Sequence, residues 1–400
     1  MRSTDVDHPR PQAAAGRPVT AARPAQAAAP SLAALVGELR SLAMSGLPAM
    51  FDPGRGLCSF TVRRNGAALQ RAGLSRRYTA ITLLGLIGED REQAAHALGG
   101  ASIETVATHL VRTAGPEDSL GDLSLIAWAA QAAGRSAEAV WARINMLDPV
   151  ASAVPTVELA WTLSAAAADP RMLRSPLASD IAERLRESFS GGRLFPHHLG
   201  SAPAPGRAHV SCFADLVYPV LALAQYGARA GDDRAIACAL EGAQTMCRHQ
   251  GPDGQWWWHY DYRTGEVVER YPVYAVHQDS MAPMALFAAA EAAGTSFDGA
   301  IARGLRWLAS APELGGGSLI DRSAGLIWRK VARREPAKLS RYLQAGASRL
   351  SPHLRAPGLD LLFPPQAIDY EDRPYHLGWV LYAWPAERAE AWRRRTLSVN

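Results

Sequence analysis

The chain has 400 residues, of which 48% are hydrophobic, and it contains no run of about 18 or more apolar residues that would indicate a membrane span. Its 42 Lys and Arg residues against 38 Asp and Glu residues give a net charge of only +4, and the basic residues are scattered along the chain. We therefore predict a globular protein with a large core, without a transmembrane segment and without nucleic acid as a partner.

The cysteines and the N-terminal segment indicate the cellular context. No C-x-x-C spacing occurs among the four cysteines, Cys58, Cys212, Cys238 and Cys247. We expect reduced thiols in a cytoplasmic protein. A zinc site from Cys238, Cys247 and His249 would lack a fourth ligand, so we predict no metal and no cofactor. Residues 1–30 are rich in Ala, Pro and Arg and lack the apolar region of a signal peptide, which predicts a disordered tail.

The pattern becomes helical from Pro30 onward. Ser31–Met44 is amphipathic and predicts a helix, whereas Phe51–Gly66 contains alternating apolar residues and predicts a short hairpin. Two kinds of helical segment then alternate. Six segments are apolar on nearly all sides: Tyr78–Ile87, Leu123–Ala133, Val157–Ala167, Leu216–Ala228, Met281–Ala293 and Leu377–Trp384. The other segments are amphipathic and charged: Glu92–Thr113, Ala137–Leu147, Ser179–Ser188, Asp233–His249 and Phe297–Ser310.

This alternation predicts the fold class. A helix without a polar face must be buried on all sides, whereas an amphipathic helix can lie outside it with its charged face in water. The sequence therefore predicts an all-α protein, an α/α toroid in which about six helical hairpins form a ring with short β-hairpin insertions. We predict one toroid domain over residues 31–390 and a C-terminal tail over residues 391–400.

The predicted inner helices begin near polar side chains. Capping of a helix N-terminus explains Asp122 and, in part, Asp215. Capping does not explain Arg77, His277 or His376, because a positive side chain is repelled by the positive end of a helix. In a toroid the same ends of the inner helices converge, so we expect these side chains to surround one cavity. Further polar residues stand at these ends: Tyr78, Glu158, Tyr218, Asp279 and Tyr375.

Aromatic and ionisable residues are most densely mixed in Arg248–Gly294. If the part that follows Trp256 is a strand, Trp257, His259 and Asp261 share one face and Tyr260 lies on the other. The first face would place the His259 imidazole beside the Asp261 carboxylate, which would raise the basicity of the histidine. One face is expected to pack into the core.

Other acid, base and cationic groups follow in the chain. His277 and Asp279 are expected to reach the same cavity, and His376 is expected to pair with Glu371 or Asp369. Arg270 and Arg322 are candidate clamps for a carboxylate or a phosphate, although an ordinary surface salt bridge explains Arg322 equally well. His197 and His198 suggest a loop near the mouth of the toroid, but we do not select them as site residues.

Two known groups of α/α toroids resemble the central stretch of the chain. Gln250 is followed by Pro252-Asp253-Gly254-x-Trp256, and a later helix starts at Asp279-Ser280-Met281-Ala282. In these features the chain resembles six-hairpin glycosidases such as unsaturated glucuronyl and rhamnogalacturonyl hydrolases. The related N-acylglucosamine 2-epimerase group uses histidines at helix ends, as His277 and His376 would be here. This resemblance implies a toroid that acts on carbohydrates.

The segment Gln250–Trp256 also resembles the Q-x-x-D-G-x-W motif of terpenoid cyclases. Asp369–Asp372 resembles the acidic motif of class II cyclases, with Glu371 in place of the expected third Asp. The Q-x-x-D-G-x-W residues build a tight turn packed by a tryptophan, so they indicate a helical hairpin more than a reaction. A terpenoid cyclase or prenyltransferase-like enzyme is therefore the alternative.

Our sequence-based hypothesis is a carbohydrate-active enzyme, a glycoside hydrolase, lyase or sugar epimerase, that acts on a sugar or oligosaccharide. A non-catalytic toroid that binds a glycan or a protein is a third possibility. The candidate catalytic residues are His259, Asp261, His277, Asp279, Glu371 and His376. The candidate substrate-binding residues are Trp257, Tyr260, Arg270, Tyr274, Asp215, Tyr218, Tyr375 and Arg322.

Overall fold

The computed structural model describes residues 31–66, 68–189, 194–200 and 205–397, so the predicted N-terminal tail over residues 1–30 lies outside the described residues. The described residues form sixteen α-helices in chain order: α1 (Leu32–Met50), α2 (Arg76–Leu86), α3 (Arg91–Ala97), α4 (Ile103–Thr113), α5 (Leu120–Ala132), α6 (Glu138–Met146), α7 (Thr156–Ala168), α8 (Pro176–Ser188), α9 (Ala214–Ala230), α10 (Asp233–Arg248), α11 (Ala282–Ala293), α12 (Asp298–Ser310), α13 (Leu339–Leu350), α14 (Leu359–Leu362), α15 (Pro374–Ala383) and α16 (Ala386–Leu397).

Six helices form a closed inner ring. Each of α2, α5, α7, α9, α11 and α15 packs against the next, and α15 returns to α2. The fifth member begins with a π-helical turn, His277–Met281, that continues directly into α11. The inner helices are buried along most of their length because they have no continuous polar face. The prediction of an α/α toroid is confirmed.

The ring closes where α2 meets α15. A Cβ atom added to Gly85 would lie 2.2 Å from the carbonyl oxygen of Gly378. The two helix backbones are therefore in direct contact, an approach that only a residue without a side chain permits. This seam joins the first inner helix to the last.

An outer layer surrounds the ring. Helices α1, α3, α4, α6, α8, α10, α12 and α16 pack against it with their apolar faces. The predicted single helix Glu92–Thr113 is wrong, because the chain turns between α3 and α4 at Gly99 and Gly100, where φ is +61° and +94°. These values lie in the region that favours glycine, and a continuous helix cannot contain them.

The end of the described chain also differs from the prediction. Helix α16 continues to Leu397, and Trp392 is buried against Phe287 and Trp384. Helix α16 therefore extends past residue 391, the predicted start of a C-terminal tail, as far as Leu397. The reason is that one indole on an otherwise charged helix provides enough apolar surface to hold the helix on the ring. Residues 398–400 of the predicted tail lie outside the described residues.

Fourteen short strands are described: β1 (Phe51–Asp52), β2 (Leu57–Asn65), β3 (Ala68–Ser75), β4 (Val154–Pro155), β5 (His198–Leu199), β6 (Val210–Cys212), β7 (His259–Asp261), β8 (Val267–Glu269), β9 (Val273–Tyr274), β10 (Ile320–Asp321), β11 (Leu326–Ile327), β12 (Lys330–Ala332), β13 (Ala367–Asp369) and β14 (Glu371–Asp372). They form five small sheets, in which the neighbouring strands are β1-β2-β14 with β3 on β2, β4-β5, β6-β7-β8, β9-β12-β13 and β10-β11, all paired antiparallel.

The strands mark one end of the ring. Strands β3, β4, β6, β9 and β14 each end within three residues of the start of an inner helix. The sheets therefore lie around the N-terminal ends of the inner helices and fix the side chains there. We call this end the mouth of the ring. None of the described helices is both long and apolar enough to cross a membrane.

Candidate active site at the mouth of the ring

Arg77 links three inner helices at the mouth. It stands in the first turn of α2, and its Nε donates a hydrogen bond to Asp122 Oδ1 at 2.9 Å. Its Nη2 donates to Ser119 Oγ at 2.9 Å and to Glu158 Oε1 at 3.1 Å. The guanidinium also lies 5.1 Å from the centre of the Trp161 ring. Two carboxylates and a cation from the starts of α2, α5 and α7 thus form one network beside an aromatic ring.

The carboxylates of this network also organise the helix starts. Asp122 Oδ2 accepts hydrogen bonds from the backbone N–H and the hydroxyl of Ser119, which completes a capping box. Glu158 Oε2 accepts the backbone N–H of Gly121 at 3.0 Å. The side chains of Arg77, Asp122 and Glu158 remain 29%, 25% and 15% exposed. They can therefore be reached by a ligand. The sequence indicated these positions without selecting them as site residues, because capping explained Asp122 and because Arg77 and Glu158 are 81 residues apart in the chain.

Aromatic rings line the mouth beside this network. The Tyr218 ring lies 5.0 Å from that of Trp161, and the Tyr218 hydroxyl accepts a hydrogen bond from Trp379 Nε1 at 2.9 Å. On the other side, the rings of Tyr78 and Tyr375 are 4.8 Å apart. The structure thus places the predicted residues Tyr218 and Tyr375 close to the Arg77 network. Flat rings beside polar groups suit a ligand with one apolar face and several hydroxyls.

His376 stands between two buried carboxylates. Its Nε2 is 2.8 Å from Asp279 Oδ2, and its Nδ1 is 3.7 Å from Asp372 Oδ1. Burial alone would lower the pKa of His376. The two carboxylates have the larger effect and raise the pKa to about 10, so the imidazole is charged at neutral pH. The predicted pairing of His376 with Glu371 or Asp369 is wrong. The true partners are Asp372, four residues earlier across the helix start, and Asp279 on the neighbouring inner helix.

Glu371 is instead held by arginines. Its Oε1 accepts hydrogen bonds from Arg329 Nη1 at 2.8 Å and from Arg373 Nε at 2.6 Å, and its Oε2 binds Arg63. Burial raises the pKa of this carboxyl, but the three guanidinium groups lower it more. A carboxylate held ionised by three cations is a charge anchor and a poor proton donor. The structure therefore does not support the predicted catalytic role of Glu371.

His277 does not share a cavity with the Asp279 carboxylate, which points to His376. The His277 imidazole is buried, and burial lowers its pKa to about 3, so it is neutral. Its ring packs 4.9 Å from that of Tyr274, which in turn carries the guanidinium of Arg329 at 5.3 Å. The predicted residue Tyr274 therefore lies at the mouth, with His277 behind it.

A second cleft, of about 450 Å³, opens next to the mouth between loop 194–200 and strands β6 and β7. His197, Cys212, Trp258 and His259 line it together with Arg207 and Arg341. His197 Nδ1 is 2.9 Å from Asp215 Oδ2, and this hydrogen bond raises the pKa of His197. The predicted residues Asp215 and His259 thus meet at this cleft, together with His197, which we had not selected.

His259 and Asp261 do not interact, so their predicted pairing is wrong. Asp261 binds Arg263 through both oxygens, at 3.0 Å to Nε and 2.7 Å to Nη2, and also accepts the backbone N–H of Arg263. In the segment after Trp256, strand β7 covers only His259–Asp261. Its pairing with β8 shifts register between His259 and Tyr260. The regular alternation on which the prediction depended is lost at this irregularity. Burial lowers the pKa of His259 well below its usual range, and Arg207 adds to this effect.

Four predicted substrate-binding residues lie elsewhere. Trp257 and Arg270 line a separate cleft of about 700 Å³, with the guanidinium 5.4 Å from the indole centre. The buried Tyr260 donates its hydroxyl hydrogen to the Trp257 carbonyl. Arg322 forms a surface ion pair with Glu38 and is 60% exposed. The structure does not bring these four residues together at the mouth, and their roles in substrate binding stay predictions.

The described residues define the class of fold: an α/α toroid in which six inner helices are surrounded by an outer helical layer. Among solved structures, the chain is similar to an unsaturated glucuronyl hydrolase specific for heparin, with 13% identity and a TM-score of 0.59 over 90% of this chain and 97% of that chain. It is also similar to cellobiose 2-epimerase from Bacillus thermoamylovorans B4167, with 11% identity and a TM-score of 0.57 over 88% and 99% of the two chains. It is similar as well to unsaturated glucuronyl hydrolase from Bacillus sp. GL1, with 12% identity and a TM-score of 0.52 over 88% of this chain and 96% of that chain.

These similarities confirm the predicted resemblance at the level of the fold. No family model and no curated protein sequence matches the chain. The segment Gln250–Trp256, which carried both predicted resemblances, is a structural brace. Gln250 Nε2 donates to the carbonyls of Gly254 and Ala300, each at 2.9 Å, and the Trp256 ring fits against Gly304. The segment thus joins α10 to α12.

Proposed function

We propose that the chain is a carbohydrate-active enzyme that acts on a sugar or oligosaccharide by acid–base chemistry at the mouth of the ring. The observation that carries this proposal is the Arg77 network, in which one guanidinium donates hydrogen bonds to both Asp122 and Glu158. The carboxylates are partly exposed, and aromatic rings stand beside them. The solved relatives, named as a glucuronyl hydrolase and a cellobiose epimerase, support the same substrate class.

Paired carboxylates suit glycoside hydrolysis. One carboxyl group protonates the leaving oxygen while the other acts as a base or nucleophile on the opposite side of the sugar ring. Asp122 and Glu158 come from neighbouring inner helices and meet at Arg77 and Ser119, so a sugar bound at the mouth could reach both carboxylates. Arg77 would orient both groups and could pair with a substrate carboxylate or hydroxyl. We therefore place hydrolysis before elimination and epimerisation.

Trp161 and Tyr218 stand beside this network and are held in place. Their edge-to-face packing fixes both rings, which are only 5% and 4% exposed, and the hydrogen bond from Trp379 holds the Tyr218 hydroxyl. The half-buried rings of Tyr78 and Tyr375, on the other side of the network, are the surface that we assign to an apolar sugar face whose hydroxyls reach the Arg77 network. The buried pair of His376 and Asp279 supports the wall behind it.

The test is a panel of neutral and uronic oligosaccharides with three readouts. New reducing ends report hydrolysis, absorbance of an unsaturated uronate reports elimination, and deuterium incorporation with a changed epimer ratio reports epimerisation. Asp122→Asn and Glu158→Gln are expected to lower kcat/KM by at least about 100-fold. The control is Glu138→Gln, an exposed acidic residue in the first turn of outer helix α6, which should leave kcat/KM unchanged.

Three outcomes would overturn the proposal. Binding of an oligosaccharide without turnover, retained in both carboxylate variants, would identify a non-catalytic toroid. Hydrocarbon products from farnesyl or geranylgeranyl diphosphate would identify a terpenoid cyclase. Full activity in Asp122→Asn and Glu158→Gln would place the reaction elsewhere in the chain.

We also propose one domain, a bacterial source and a cytoplasmic location, with a small molecule and not a nucleic acid as the ligand. One hydrophobic cluster extends from Leu35 to Trp392, which supports a single domain. The four cysteines are free thiols, which supports a reducing compartment. The near balance of 42 basic and 38 acidic residues supports the absence of nucleic acid among its partners.

A further inference from the structure

Three side chains that can bind a metal meet beside the mouth. The imidazole of His197, the thiol of Cys212 and the carboxylate of Asp215 each offer an atom within 4.8 Å of the other two. They come from loop 194–200, the end of β6 and the first turn of α9. Among the residues that the structure describes, this is the one such group of three. The predicted zinc alternative at Cys238, Cys247 and His249 does not form such a group.

The donor set matches a transition metal. Zinc binds nitrogen, sulfur and carboxylate oxygen at about 2.0–2.3 Å in tetrahedral sites, so its ligand atoms lie about 3–4 Å apart. Magnesium and calcium prefer oxygen alone and would not use the thiol. The thiolate and the carboxylate together supply two negative charges, which balance a divalent cation. This balance matters because Arg207 and Arg341 line the same cleft.

Burial is graded across the group. The Asp215 side chain is 1% exposed, whereas that of His197 is 52% exposed, and Cys212 lies between them. A cation held by the three would rest on the buried carboxylate and have its remaining position toward the cleft. Three protein ligands with one open position are characteristic of sites that bind water or a substrate atom.

His259 provides an independent observation. It lies directly opposite Cys212 in the β6–β7 ladder, where paired side chains project from the same face. The imidazole is 4% exposed and lines the same cleft, and its Nδ1 has no hydrogen-bond partner. A buried nitrogen without a hydrogen-bond partner lowers the stability of the fold. A ligand bound in the cleft would supply the missing partner.

We propose that His197, Cys212 and Asp215 bind a divalent transition metal, zinc by the softness of the donor set, with its open position toward the cleft that His259 lines. This site goes beyond the proposed function, and its test does not require a substrate. Metal binding would release the Cys212 thiol proton to solvent, and the imidazole hydrogen of His197 that now faces Asp215 would move from Nδ1 to Nε2.

The experiment is a cobalt(II) titration of the full chain after chelation and dialysis. A saturable one-to-one site with visible d–d bands of tetrahedral intensity and a thiolate-to-cobalt charge-transfer band is expected, and zinc should displace the cobalt. Cys212→Ser is expected to abolish the charge-transfer band, and His197→Ala to weaken cobalt binding at least about 10-fold. Cys238→Ser, a free thiol on α10, is the matched control and should retain the full spectrum.

Circular dichroism of each variant checks the fold. His197→Ala changes a half-exposed side chain, so it keeps the test valid even if Cys212→Ser does not fold. Absence of saturable cobalt binding, or a charge-transfer band that survives Cys212→Ser but disappears in Cys238→Ser, would overturn the proposal. Either result would leave the three side chains as a hydrogen-bonded group that only fixes the start of α9.

Discussion

Replacing His376 with glutamine would remove the cation that stands between two buried carboxylates. His376, Asp279 and Asp372 are each at most 3% exposed, so water cannot replace the lost charge. Breaking a buried ion pair by removing one partner costs about 3–5 kcal/mol. Because the glutamine amide can still donate one hydrogen bond, worth about 1 kcal/mol, we expect a loss of about 3 kcal/mol in the free energy of unfolding at neutral pH.

The pH dependence follows from the direction of the pKa shift. The pKa of His376 is about 10 in the folded chain, above the 6.5 of an ordinary histidine. Its contribution to stability is therefore fully present below about pH 6.5, decreases as the pH rises, and is lost as the pH passes about 10. The stability difference between the wild-type chain and His376→Gln should thus shrink as the pH rises from about 6.5 to about 9.5.

Urea unfolding followed by circular dichroism at several pH values measures this difference. His96→Gln, an exposed histidine on outer helix α3, is the matched control and should follow the wild-type curve within about 0.5 kcal/mol. A difference for His376→Gln that stays constant over this pH range would refute the assigned charge of the imidazole. Wild-type stability of the variant would refute the importance of the buried ion pairs.

Two further predictions concern the seam and the turn after β7. Gly85→Ala should lower the free energy of unfolding by about 3 kcal/mol or more, because the new methyl group would meet the Gly378 carbonyl oxygen. The control is Gly37→Ala, where the methyl group has free space and should raise the free energy of unfolding by up to about 1 kcal/mol. Equal melting temperatures of these two variants in calorimetry would contradict the close approach. Asp261→Asn should lower the free energy of unfolding by about 1–3 kcal/mol without lowering kcat, because Asp261 holds Arg263. Loss of kcat at unchanged stability would instead show that Asp261 is a catalytic residue.

The ring could be predicted because a helix without a polar face must be buried on all sides. The runs around Leu125 and Leu163 admit no solvent-exposed face, and the amphipathic runs between them admit only an outer position. The strands could not be predicted to the same extent. Most have only two or three residues, and β3 is exposed along nearly its whole length, so it lacks the alternation that identifies a half-buried strand.

The site was predictable as a region but not as a set of pairs. Asp279 and His376 both start inner helices, yet they are 97 residues apart, and only the packing of the fifth inner helix against the sixth brings them together. Asp372 could have been found, since it lies four residues before His376. The pairing of His259 with Asp261 failed because one irregular register overrides the two-residue period of a strand.

The seam between Gly85 and Gly378 has a consequence for how the ring assembles. Every other inner contact joins helices that follow each other in sequence, so hairpins can add one by one at small entropic cost. The seam, together with the packing of α1 on α15 and α16 and the pairing of β2 with β14, brings together segments roughly 290 residues or more apart, for which loop closure costs about 5 kcal/mol. Amide hydrogens along α2 and α15 should therefore exchange with solvent through local openings of this contact. The contacts between the other inner helices should stay formed during these openings.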